Sequence, residues 1–327
     1  MPPSLLAPRT ETQVNTYTTG YKSGADFSPH FFVVGAPKAG TTAVSHWLRS
    51  HPEVFLPSVK EPSYFAYAGS SAVPKNGPYD PDYFRKITVN RESYAELYEA
   101  AGTRLTGDIS PVYLLDEYAA GRIAMARPDA RIIILLRDPV ERAFSQFMHH
   151  LRDSLETCET FEEALEQEEE RLLDGWSQGH GYATHGHYLS QIARYFAVFP
   201  KEQILVLEYQ DLQSAPEHCW RQICEHLRIE PIGLVQNERV NATCDLVDVP
   251  GRPRLARRLK HPGPAQALLK RLMPPRLRAK LRHFLEGPRR LVPVLRKDTT
   301  HSLASRYQSE RCQIEQLTGL SLAHWTS

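Results

Sequence analysis

No apolar run in this 327-residue sequence exceeds strand length, so nothing in it reads as a membrane-crossing helix. The opening stretch Met1-Pro-Pro-Ser-Leu-Leu-Ala-Pro-Arg9 lacks the apolar core of a signal peptide, and no membrane anchor is expected. An excess of charge of one sign is missing too: 39 Lys and Arg face 38 Asp and Glu, a net charge of +1. That balance excludes a general electrostatic attraction to nucleic acid or to an anionic membrane. Cysteine is scarce and odd in number, five residues at positions 158, 219, 224, 244 and 312 with no metal-ligand spacing. They are expected to be reduced thiols of a cytoplasmic protein rather than a disulfide framework. His180, His185 and His187 share a Gly-bearing loop, but no carboxylate or cysteine completes a metal motif around them.

What is present begins with Phe31-Phe-Val-Val-Gly-Ala-Pro-Lys-Ala-Gly-Thr-Thr42, an apolar strand that runs into a turn bearing Gly and Lys and then opens a helix. Gly35 and Gly40 let the backbone turn tightly and approach an anion. Thr41 and Thr42 start a helix, so their unpaired N–H groups and the helix dipole point into the loop, where Lys38 adds a full positive charge. The segment nearly satisfies G-x-x-x-x-G-K-[ST], but Thr41 stands where a nucleotide triphosphatase needs Lys, and the lysine lies two residues before the second glycine. That shift argues against a γ-phosphate and Mg²⁺ site and for a different phosphorylated nucleotide.

Periodicity organises the rest. Phe31 to Val34, Val54 to Leu56, Arg104 to Leu105, Ile132 to Leu136 and Ile204 to Leu207 read as strands. Helical patterns over Thr41 to Ser50, Ser93 to Ala101, Asp116 to Ala126, Val140 to Arg152 and Ser190 to Phe199 alternate with them. The fold class that follows is α/β, a parallel sheet flanked by helices, with ligands beyond the carboxyl ends of the strands. Residues 1–29 are expected to form a loose arm. Glu156 to Asp174 reads as one acidic amphipathic helix, with Phe161, Leu165, Leu172 and Leu173 on its apolar side and its charges solvated. Residues 251–297 hold fifteen Lys or Arg against the single acid Glu286, either a basic helical surface or a platform for an anion.

Several segments in fixed order carry a resemblance to the sulfotransferases that use 3′-phosphoadenosine 5′-phosphosulfate (PAPS). Pro37-Lys-Ala-Gly-Thr-Thr42 resembles their 5′-phosphosulfate loop, and Arg137-Asp-Pro-Val-Glu-Arg-Ala-Phe-Ser145 their 3′-phosphate strand, turn and helix. Lys60-Glu-Pro-Ser-Tyr-Phe65, Gly107-Asp-Ile-Ser-Pro-Val-Tyr113 and Tyr188 through Leu212 are similar to the branch that includes heparan sulfate and bacterial enzymes, with an echo in Ile314 to Leu320. The resemblance implies a single sulfotransferase domain over 30–327 and PAPS as co-substrate without a metal. It also implies a glycan, glycolipid or small-molecule acceptor bearing a hydroxyl or amine. Lys38, Ala39, Gly40, Thr41 and Thr42 would hold the 5′ end, and Arg137 and Ser145, with Arg142 assisting or in a surface ion pair with Glu141 or Asp138, the 3′-phosphate. Tyr188 would flank the nucleotide or serve the core. Glu61 would be the catalytic base, Asp108 its alternative or partner, and Lys38 the stabiliser of the leaving oxygen. His149 and His150 are further candidates for the base. A P-loop kinase or hydrolase and a catalytically silent nucleotide-binding scaffold stay open as alternatives.

Overall fold

The computed structural model describes residues 28–234 and 293–325. The expected arm up to residue 27, Cys244 and residues 251–292 of the basic segment lie outside the described residues.

Five strands form one all-parallel sheet: β1 (Phe31–Gly35), β2 (Val54–Phe55), β3 (Leu105–Ile109), β4 (Arg131–Leu136) and β5 (Ile204–Glu208), in the order β2-β3-β1-β4-β5. The chain builds β2 and β3 on one side of β1 and then crosses to place β4 on the other. β1 therefore stands at the topological switch, where a crevice opens beyond the strand ends. Both faces of the sheet are covered, which is why β4 reads as an unbroken apolar run: Ile132, Ile133, Ile134, Leu135 and Leu136 are all fully buried. β3 is longer than the expected Arg104 to Leu105, because Gly107 and Asp108 disguise it. Gly107 pairs with Phe31, and a Cβ at 107 would stand 2.0 Å from Cζ of the Phe31 ring.

The helix Thr41–Ser50 coincides with its expectation, and the helix Pro139–Asp153 extends its own by one residue at each end. The second begins where Asp138 accepts hydrogen bonds from the N–H groups of Val140 and Glu141, at 2.8 and 3.1 Å, and Pro139 fills the first turn. One side of this helix carries Val140, Phe147 and Leu151 into a second apolar cluster with Phe161, Tyr182, Leu303 and Tyr307. The opposite side is left to face the crevice. Tyr307 belongs to the long helix Lys297–Thr318, which packs on the helices Pro139–Asp153 and Tyr188–Phe196.

The acidic segment differs from its expected form. It is two short helices, Phe161–Glu166 and Glu168–Leu173, and Leu173 is 83% exposed. Two of its carboxylates are buried and satisfied rather than solvated: Glu156 pairs with Arg171 at 3.0 Å, and Glu168 accepts the N–H groups of Ala183 and Thr184 at 2.7 and 2.8 Å. The four described cysteines are free thiols. No helix among the described residues is long and apolar enough to cross a membrane.

Candidate active site

A cleft of about 1780 Å³ opens beyond the carboxyl ends of β1, β3, β4 and β5. Its floor is the turn after β1. Gly40 there has φ +93°, and a Cβ on it would stand 3.0 Å from Leu212 and 3.1 Å from Tyr209. Only glycine lets this turn lie under the helix that follows β5. Lys38, Gly40, Thr41 and Thr42 line the cleft, with the first-turn N–H groups of Thr41 and Thr42 free of helical partners by position. Ala39 corrects its expectation: its side chain is fully buried and its N–H is given to the Ala36 carbonyl at 3.2 Å, so it packs the turn rather than facing an anion.

Arg137 leaves the end of β4 and reaches the same turn. Its Nη1 lies 3.4 Å from the Lys38 carbonyl, its Nε and Nη2 donate to Glu141 at 3.2 and 3.1 Å, and its guanidinium stacks 4.5 Å from the Tyr209 ring centre. Ser145, two turns along the helix and 3% exposed, lines the cleft with it. Lys38, Arg137 and Ser145, 107 residues apart in sequence, thus border one space. Arg142 is no surface partner of Glu141 or Asp138: it is fully buried and donates to the Tyr182 carbonyl. Tyr188 is also fully buried; its hydroxyl donates to the Arg137 carbonyl at 3.0 Å, so it holds the arginine from behind instead of flanking a ligand.

Glu61 comes from the opposite wall, its side chain 22% exposed, and Lys60 beside it joins that wall to the floor. The Lys60 ammonium lies 3.7 Å from the Glu61 carboxylate and donates to Thr42 Oγ1 at 3.1 Å. Lys38 and Glu61 both adopt left-handed backbone conformations, φ +69° and +59°. For residues with a Cβ this costs on the order of 1–3 kcal/mol each, and it persists where the surroundings over-determine the geometry, commonly at functional sites.

Asp108 does not reach the cleft. It is fully buried at the end of β3 and accepts hydrogen bonds from Ser110, Tyr94 and Tyr113 at 2.6, 2.7 and 2.7 Å. Ser110 in turn accepts the Ser63 N–H at 3.0 Å, and Ser63 Oγ donates to the Glu61 carbonyl at 3.0 Å. Asp108 is therefore the anchor of the Glu61 loop and not a base that meets an acceptor. We expect Asp108→Asn to lose about 1–3 kcal/mol of stability in denaturant unfolding, because the amide NH₂ leaves one buried hydroxyl without an acceptor. Turnover per folded molecule is expected to fall by less than tenfold; a collapse of turnover in folded Asp108→Asn would restore a direct role.

The electrostatics separate the two key groups. Burial, then the Arg152 and Arg137 charges, lower the Lys38 pKa to about 8. Burial raises that of Glu61, against the pull of the Lys60 ammonium, the Tyr83 hydroxyl and Lys38. His149 lines the cleft with Nε2 3.0 Å from Asp153, and burial lowers its pKa. His150 borders the same cleft but is committed to Tyr182 and Gln146, at 2.8 Å each. His187 lies apart, paired with Glu310 at 2.7 Å. Among the described residues no group of three or more His, Cys, Asp or Glu is placed to hold a metal ion. Lys60, Tyr83 and Tyr209 are the site residues that sequence reasoning missed. Lys60 was signalled only by adjacency to Glu61, and the two tyrosines arrive through contacts distant in sequence.

A family model described as "Sulfotransferase family" matches residues 29–232. The chain is similar to the membrane-associated sulfotransferase kil1 of Dictyostelium discoideum, 24% identical over 298 residues that cover 65% of this chain and 60% of that protein. Carbohydrate sulfotransferase 15 of Mus musculus is 24% identical over 62% of this chain and 44% of its own length. The bifunctional heparan sulfate N-deacetylase/N-sulfotransferase 2 of Homo sapiens is 27% identical over 63% of this chain and 22% of its own length. The chain thus spans less than two thirds of each of these relatives. The crystal structure of a sulfotransferase from Alicyclobacillus acidocaldarius superposes with a TM-score of 0.70 at 26% identity, covering 92% of this chain and all of that one.

Proposed function

The chain belongs to the sulfotransferase family, and from that membership we propose that it transfers a sulfuryl group from PAPS to a hydroxyl or amine of a carbohydrate, glycolipid or small-molecule natural product. The kinase and hydrolase alternatives fall with the family. The observation that carries the reading is the meeting of the Arg137 guanidinium and the Lys38 backbone at 3.4 Å, with Glu61 tied to the same turn through Lys60. Two cationic groups on adjacent strand ends suit the two phosphorylated ends of one nucleotide.

In this mechanism Arg137 and Ser145 take the 3′-phosphate, the arginine by a charged fork and the serine by its hydroxyl. The N–H groups of Gly40, Thr41 and Thr42 take the 5′ end. Glu61 removes the proton from the acceptor O–H or N–H as the acceptor atom bonds to sulfur. The bond from sulfur to the bridging phosphate oxygen breaks in line, and the Lys38 ammonium meets the charge that gathers on that oxygen. The raised pKa of Glu61 brings its basicity nearer to working pH. Lys38 acts where charge develops, which is differential stabilisation of the transition state. Tyr67, Tyr79, Tyr83 and Phe84 line the acceptor side and offer ring faces to a sugar or to another ring-bearing acceptor. The free thiols support a cytoplasmic setting.

The test is direct. Adenosine 3′,5′-bisphosphate (PAP) at one hundred times its dissociation constant is expected to stabilise the protein by about 2.7 kcal/mol in thermal unfolding, with no competition from ATP and Mg²⁺. Radiolabelled PAPS and a panel of glycans and hydroxylated metabolites should then yield a labelled product. Binding without transfer to any acceptor would favour the silent scaffold.

A further inference from the structure

Glu208 ends β5 with its carboxylate buried, directly before Tyr209, which lines the cleft and stacks on Arg137. Two donors from a distant segment satisfy that carboxylate. Trp325 Nε1 lies 2.6 Å and His324 Nε2 2.7 Å from the same oxygen, Oε1. The segment that brings them is itself built to do so. Gly319 ends the helix Lys297–Thr318 at φ +79°, the Leu322 N–H is held by the Glu315 side chain at 2.7 Å, and Leu322 is fully buried. The turn then delivers Trp325 at 4% exposure.

Trp325 touches the donor site by two routes. Through Glu208 it fixes the backbone that carries Tyr209, whose ring faces the Arg137 guanidinium at 4.5 Å. Its own ring lies 5.8 Å from that of Tyr188, which holds the Arg137 carbonyl at 3.0 Å. One indole therefore braces both the residue that Arg137 stacks on and the residue that grips its backbone. Both routes converge on Arg137 and touch none of Thr41, Thr42 and Glu61; the 5′ loop is met only at second hand, where the Tyr209 ring rests against the Gly40 turn and Arg137 against the Lys38 carbonyl.

We infer that Trp325, assisted by His324 through Glu208, is a positioning residue for the 3′-phosphate side of the donor pocket, a clasp made by residues 319–325. The inference rests on the assignment of Arg137 to the 3′-phosphate. Its action is selective: losing the clasp weakens recognition of a nucleotide that carries a 3′-phosphate far more than recognition of one that lacks it.

The experiment compares PAP with 5′-AMP by calorimetry on the full chain and on Trp325→Phe, Glu208→Ala and Glu208→Gln. Trp325→Phe keeps a ring beside Tyr188 but removes the N–H, and Glu208→Gln keeps a carbonyl acceptor that Glu208→Ala lacks. Trp325→Phe and Glu208→Ala are expected to raise the PAP dissociation constant by about five- to twentyfold, a fraction of the energy of one lost hydrogen bond to a charged group because the clasp acts through Arg137, with 5′-AMP within twofold. Glu208→Gln should stay close to the parent. Equal weakening of both nucleotides, or a lower melting temperature with unchanged discrimination, would reduce Trp325 to a core anchor and overturn the clasp. Linkage is reciprocal, so a second readout needs no variant. PAP, and not 5′-AMP, should slow amide exchange across residues 319–325, and equal protection by both would also overturn it. A parent protein that binds PAP no more tightly than 5′-AMP overturns the donor assignment itself.

Discussion

Glu61→Gln is expected to lower kcat by two to four orders of magnitude while the dissociation constant for PAP stays within about twofold. Gln has the shape of Glu and keeps an oxygen toward Lys60, so the left-handed turn at φ +59° and the tether to Thr42 both survive. What disappears is the capacity to accept a proton, and PAP has no acceptor proton to lose. Steady-state transfer and calorimetric PAP binding on the same preparation separate the two quantities. Retained turnover would remove Glu61 from the proton path and turn attention to His149, the cleft histidine paired with Asp153.

The second large effect belongs to Lys38. Lys38→Met should reduce kcat by about a hundred- to a thousandfold, the usual cost of removing one preorganised group from a site where charge develops, and should weaken PAPS binding as well. Its lowered pKa adds a signature in pH. In the free enzyme Lys38 loses its proton as pH rises through about 8, so kcat/KM should fall on that limb. On the acid side kcat/KM should rise as Glu61 deprotonates, above the ordinary carboxylate range because burial raises it. Bound nucleotide brings negative charge next to Lys38 and favours its protonated form, so the alkaline limb of kcat should lie at higher pH than that of kcat/KM. Lys38→Arg should erase the alkaline limb altogether, since guanidinium stays charged. A limb near pH 8 that persists in Lys38→Arg belongs to another group.

The parts of this molecule that were legible in the sequence are those whose meaning is local. The strand, turn and helix from Phe31 to Ser50 announce themselves through apolar run, glycine and lysine, and the Asp138-Pro139 start of the next site helix does the same. Depth was not legible. Asp108, Tyr188 and Ala39 lie in segments that resemble site segments but face the interior, and only the packing of β3, of the helix Tyr188–Phe196 and of the turn after β1 decides that. Partners remote in sequence were equally hidden. The family resemblance marks Arg137, at the end of β4, as a phosphate ligand, whereas its Tyr209 platform depends on where β5 ends. The acidic segment misled for a related reason: a carboxylate met by two N–H groups, as Glu168 is, can be buried at no great cost, and composition does not reveal the donors.

The Phe31 ring occupies the space that a side chain at position 107 would need. Those two residues are one steric unit divided between strands that lie 76 positions apart. Chimeras assembled from this chain and a relative that carries a side chain at the position of Gly107 must therefore inherit both from the same parent. A crossover placed between them, however conservative it looks on paper, sets an aromatic ring against a methyl group in the middle of the sheet and shifts β1, on which the nucleotide turn is mounted.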